Sequence, residues 1–180
     1  RPPRLLLRLP EGGRDWADRA VRGGNAEGEA ANFVRELVNR PANDLHPEQL
    51  AEEARRVARS GGLAFRLLWK RDLERLKMGA LLGVAQGSDK PPCLMVLEYR
   101  AGKAPRGLKA PPTLAIVGKA ITFDCGGLSI KPAKGMEEMK FDMAGGGVVL
   151  GALKACAELK PPVNVVGIVP ATPRRQRRRA

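Results

Sequence analysis

The sequence predicts an α/β fold, a mostly parallel or mixed sheet flanked by helices. Three observations carry this expectation. Short apolar runs have strand length, other stretches space their apolar residues three and four apart, and the two kinds alternate along the chain. Strands separated by helices need crossover connections, which favour a parallel sheet.

Residues 1–24 mix Pro, Gly, Arg and Asp without lasting periodicity and read as a tail or linker, with a frayed helix around Trp16. From Asn25, the spacing of Ala30, Phe33, Val34, Leu37 and Val38 predicts a helix that Pro41 ends. After an Asn43-Asp44 turn, Pro47 takes a first helical position, and Leu50, Ala54, Val57 and Ala58 carry a second amphipathic helix to Gly61. Leu63 to Trp69 reads as a strand, Arg71 to Lys77 as a short helix, and Gly79 to Gln86 as a turn entering another strand. Cys93 to Tyr99 is a buried strand, followed by a Gly, Pro and Lys loop through Pro112. Thr113 to Phe123 reads as one continuous apolar strand, Met143 to Leu159 as a helix opening on a glycine run, and Val163 to Val169 as the last strand.

Composition narrows the function. At 180 residues the chain suits one ordinary domain, and 43% apolar content supports a packed core. Aromatics are only 4%, so platforms for stacking bases are not expected. The formal charge of +13 would suit nucleic acid or an anionic surface. Five of the 32 basic residues, however, are Arg174, Arg175, Arg177, Arg178 and Arg179, and without them 27 basic residues face 19 acidic ones, scattered as on a solvated surface. Cys93, Cys125 and Cys156 are widely spaced and odd in number, which fits a reducing compartment better than a disulfide framework. No apolar run reaches the length of a membrane span.

The chemistry is concentrated at Val117-Gly118-Lys119-Ala120-Ile121-Thr122-Phe123-Asp124-Cys125-Gly126-Gly127-Leu128-Ser129-Ile130-Lys131-Pro132, with Asp142 on the next segment. Sites in α/β sheets form at the carboxyl ends of strands, where Lys119 and Asp124 lie. Asp124 and Asp142 could converge on a divalent metal, although such pairs are more commonly turn or cap residues. Most lysines are simply solvated. Lys119, at the end of a strand read as buried, would have to pair with a carboxylate or lose its proton to a metal. A protonated Lys131 could stabilise negative charge growing on a carbonyl oxygen.

These residues, together with Gly135 to Met143, Asn164 to Ala171, Leu37 to Leu45 and Met78 to Ser88, resemble the leucyl aminopeptidase, or cytosol aminopeptidase, family of two-metal exopeptidases. The resemblance implies a partial zinc-exopeptidase-like catalytic domain over 25–171, with 172–180 a basic tail. It implies Lys119, Asp124 and Asp142 as metal ligands, Asp124 bridging two ions of zinc or manganese, and Lys131 as the catalytic cation. Peptides would be the substrates, with leucine-like preference at the amino end, the family's homo-hexamers would be the assembly, and the cytoplasm the location. Neither a membrane nor nucleic acid is expected as a partner.

There are departures. Cys125 stands where the family usually has serine, Ala120 where it often has glycine, and His46 where it often has a capping threonine. Beyond Ala171 the family continues into an Asn-Thr-Asp-Ala-Glu-Gly-Arg segment, and this sequence reads Thr172-Pro173-Arg174-Arg175 instead. The expectation is therefore a truncated chain, inactive by itself, holding at most one metal well. Two alternatives are a basic module binding nucleic acid or anionic surfaces, and a non-catalytic partner of intact family members.

Overall fold

The structure is a computed structural model, and it describes residues 13–174 together with Arg8 and Pro10. Eleven elements follow in order: α1 (Arg14–Asn39), α2 (Pro47–Gly61), β1 (Ala64–Trp69), α3 (Lys70–Arg75), α4 (Gly79–Ala85), β2 (Cys93–Tyr99), β3 (Thr113–Val117), β4 (Ala120–Asp124), a 3₁₀ segment (Met136–Met143), α5 (Ala144–Leu159) and β5 (Asn164–Arg174).

The sheet is mixed. β1 pairs with β2 and β2 with β5 in antiparallel fashion, while β3 and β4 both run parallel to β5, along consecutive stretches of its other edge. That parallel part is a crossover unit in which β4 leads through the 3₁₀ segment and α5 back to β5.

Two layers of packing flank the sheet. On one face Leu50, Ala54 and Val57 of α2, Leu150 and Leu153 of α5 and Leu37 of α1 meet Cys93, Met95, Leu97 and Tyr99 of β2 and Val165 and Val169 of β5. The alternate residues Leu94 and Val96 face a smaller cluster with Leu73, Leu81, Leu82, Val166 and Ile168. α2 has the local signals for its limits: Pro47 at its start, and Gly62 at φ 62° just past its end.

The structure departs from sequence expectation in five places. α1 begins at Arg14, so residues 14–24 are helix and not tail; buried Ala17 joins Ala26, Ala30 and Leu37 on one extended stripe. Gly79 to Ala85 is a helix and not a turn entering a strand, with Leu81 and Leu82 packed on the second cluster; a short apolar run does not distinguish helix from strand. The strand expected over Thr113 to Phe123 is split in two. Gly118 lies against the start of α5, where an added Cβ would run into the Gly145 carbonyl. Pro170, with no N–H to donate, falls opposite the interruption, since Val117 pairs with Ile168 and Ala120 with Ala171.

β3 is also not buried. It lies at the sheet edge with Leu114 54% and Val117 68% exposed, so Lys119 emerges from an open edge and its side chain is exposed. Finally, Thr172 to Arg174 belong to β5 and are not a tail, with Thr172 and Pro173 fully buried. The remainder of the expected tail, 175–180, lies outside the described residues.

Candidate active site

The site is built on β4 and the two turns that bracket it. Gly118 lets the chain pass close to the amino end of α5, and the Gly146 N–H donates to the Lys119 carbonyl at 2.7 Å, fixing the backbone from which Lys119 projects. At the other end Asp124 is buried, and the chain reverses through Gly126 (φ 93°) and Gly127 (φ 74°). Gly126 has no room for a side chain, since a Cβ there would lie 2.9 Å from the Lys131 nitrogen. The Lys131 N–H donates to the Cys125 carbonyl at 2.9 Å and closes the loop.

Four residues singled out from the sequence form two ion pairs. Lys119 Nζ lies 2.7 Å from Asp142 Oδ1, and Lys131 Nζ lies 3.1 Å from Asp124 Oδ2. Asp142 comes from the 3₁₀ segment, whose eight residues are long for that winding and which packs on β4. Its Oδ2 is buried and has no hydrogen-bond partner. Lys131 Nζ also donates to Met139 Sδ at 2.8 Å. Among the described residues no three His, Cys, Asp or Glu side chains converge as a metal cluster.

Asp124 carries most of the electrostatics. Burial pushes its carboxyl up, but the Gly126 N–H donating to Oδ1 at 2.8 Å, the Lys131 ammonium and the Arg174 guanidinium together hold it below the ordinary carboxylate value. His46 is the residue preceding α2, half-buried and extended, on a different element from these ion pairs.

Two participants escaped sequence reasoning. Met139 sits eight residues after Lys131 with nothing in its surroundings to mark it. Arg174 looked like part of an arginine run, yet β5 continues far enough to pair it with Asp124, and its Nε lies 3.8 Å from Asp124 Oδ1. Pro173 obscured this, because proline argues against a continuing strand.

Comparison with known proteins agrees with this architecture. The chain is 45% identical over 166 residues to a probable cytosol aminopeptidase of Acidobacterium capsulatum, covering 92% of this chain and 32% of that protein. It is 53% identical over 154 residues to one from Gloeobacter violaceus, covering 85% and 30%. It thus spans about a third of the length of these relatives. The solved structure of the bottromycin maturation enzyme BotP in complex with Mn superposes with a TM-score of 0.83 at 34% identity, over 96% of this chain and 35% of that one. The cytosol aminopeptidase family, catalytic domain, matches residues 32–180, which runs past Ala171. With that match over most of its length, the chain belongs to the cytosol aminopeptidase family of peptide hydrolases.

Proposed function

We propose that this chain forms part of the active site of a metal-dependent aminopeptidase, which releases amino-terminal residues from peptides. The observation that carries the reading is Asp142 Oδ2, a buried carboxylate oxygen with no hydrogen-bond partner, on a side chain already beside the Lys119 amine. Leaving such an oxygen unsatisfied costs on the order of 1–3 kcal/mol. A nitrogen and carboxylate oxygens suit zinc or manganese, so this end of the site fits a divalent ion.

A bound ion would supply a Lewis acid and acidify water for attack on a peptide carbonyl. Lys119, Asp142 and Asp124 are the residues that would hold it. To act as a ligand Lys119 must be a neutral amine, so the proton now directed at Asp142 has to pass to solvent. Lys131 would serve as the catalytic cation. Freed from Asp124 Oδ2 and still anchored on Met139 Sδ, it would donate to the carbonyl oxygen as negative charge develops there.

The family resemblance extends the proposal to a leucine-like preference, to homo-hexamers and to the cytoplasm. No helix among the described residues is long and apolar enough to cross a membrane.

The test is calorimetric titration of the 180-residue chain with Mn²⁺, alongside an assay on leucine-p-nitroanilide. The expected result is one weakly held ion per chain, lost in Asp142→Asn, and no hydrolysis. Absence of Mn²⁺ binding would overturn the metal reading. Metal-dependent turnover that disappears in Lys131→Ala would overturn the view that these residues alone make an incomplete site.

A further inference from the structure

We propose that Arg174 is an internal cation that occupies Asp124 and thereby weakens this site's hold on a divalent metal ion. The inference rests on the metal reading above and goes beyond it, because it assigns a regulatory charge to a residue outside the ligand set.

Arg174 is placed by the sheet. Its backbone is in register with Asp124 in the β4–β5 pairing, and its carbonyl accepts from the Cys125 N–H at 3.0 Å. The guanidinium therefore lies beside the carboxylate, with Nε 3.8 Å from Oδ1, and rests on the turn, where a Cβ on Gly127 would come within 3.2 Å of that nitrogen. Lys131 holds the other oxygen, Oδ2. Both oxygens of Asp124 thus face cations, while at the other pair Asp142 keeps one oxygen unpartnered.

Charge makes the consequence concrete. Asp124 and Asp142 carry two negative charges, and Lys119, Lys131 and Arg174 carry three positive ones. An arriving dication meets a net positive cluster. A neutral residue at 174 would make the cluster neutral and leave Asp124 Oδ1 with the Gly126 N–H at 2.8 Å and no guanidinium beside it. Lysine can give up its proton to let a metal in, as Lys119 must, but a guanidinium stays charged at any working pH. Arg174, like Lys131 in its role as a cation, therefore leaves Asp124 only by moving. The guanidinium is partly exposed and Asp124 buried, so charges about 4 Å apart here are only partly screened, and removing one from beside a doubly charged ion changes its affinity by about tenfold.

The experiment is Mn²⁺ binding followed by calorimetry and by the electron paramagnetic resonance of free Mn²⁺, using the 180-residue chain and its variants. Arg174→Gln should bind Mn²⁺ about tenfold more tightly than the parent, and Arg174→Lys less than threefold more tightly. Arg100→Gln, which removes a charge paired with Glu98 elsewhere on the surface, should leave the affinity unchanged. Circular dichroism of Arg174→Gln and Arg174→Lys checks that both are folded. If Arg174→Gln binds no more tightly than the parent while Asp142→Asn still abolishes binding, the role of Arg174 is overturned and the metal site stands. Equal tightening by Arg100→Gln also overturns it, because the effect is then net charge. If neither parent nor Arg174→Gln binds Mn²⁺ at millimolar concentration, both readings fail together.

Discussion

β2 and β3 read almost alike as sequence and end in opposite environments. Cys93-Leu94-Met95-Val96-Leu97 and Thr113-Leu114-Ala115-Ile116-Val117 are both short, uncharged and rich in Leu, Val, Ile or Met. β2 lies between β1 and β5 with helices over both faces, and six of its seven residues are buried. β3 has a single neighbour, β5, and four of its five residues are exposed. These two apolar runs both form strands, and the position of each in the sheet decides whether it is buried. The candidate site follows β3 on β4 and its flanking turns, where Lys119 reaches Asp142 and Lys131 reaches the buried Asp124 without either ammonium being shut away from water.

This contrast can be broken most directly by truncating each strand. Met95 is fully buried, so Met95→Ala should cost about 2–5 kcal/mol in urea unfolding, whereas Leu114→Ala should cost under about 1 kcal/mol. Equal losses would mean that β3 is covered in solution.

A second test uses the thiol in β2. Burial, with the Glu48 carboxylate adding to it, pushes Cys93 up to about 12 from 9.0. Between those values the unfolded chain has released the proton and the folded chain has kept it, so stability falls as pH rises from about 9 toward 12. The slope for one such group is at most ~1.4 kcal/mol per pH unit. Tyr99 and Cys156 are also raised by burial and act with the same sign. Comparing unfolding of the parent and of Cys93→Ala between pH 9 and 10.5 isolates the contribution, and parallel curves would show that Cys93 is not protected. The smallest effect is expected at the edge, where Leu114→Lys should leave stability within about 0.5 kcal/mol, as read by the same denaturation.

Much of the fold was legible because its elements announce themselves locally. α2 has Pro47 at its start and Gly62 past its end, and the alternation of β2 residues between two clusters follows from a run apolar at every position. α4 was misread because Ala80 to Ala85 is too short to show a helical period, and only its packing on Leu73 and Leu94 selects the helix. The division of Thr113 to Phe123 depends on Gly145 and on Pro170, residues far along the chain that meet Gly118 and Lys119 only when folded.

The sequence alone determined the alternation of helices and strands, which rests on residue type and near spacing, and the family, whose resemblance singles out Lys119, Asp124, Lys131 and Asp142 as candidates. Tertiary structure alone decided which lysine pairs with which aspartate, that Asp142 keeps an unpartnered oxygen, and that Arg174 sits on Asp124. Side-chain chemistry is written one residue at a time, whereas the register of β5 against β4 is set by the packing of the whole sheet, and it is that register which brings Arg174, fifty residues away in the chain, to the carboxylate.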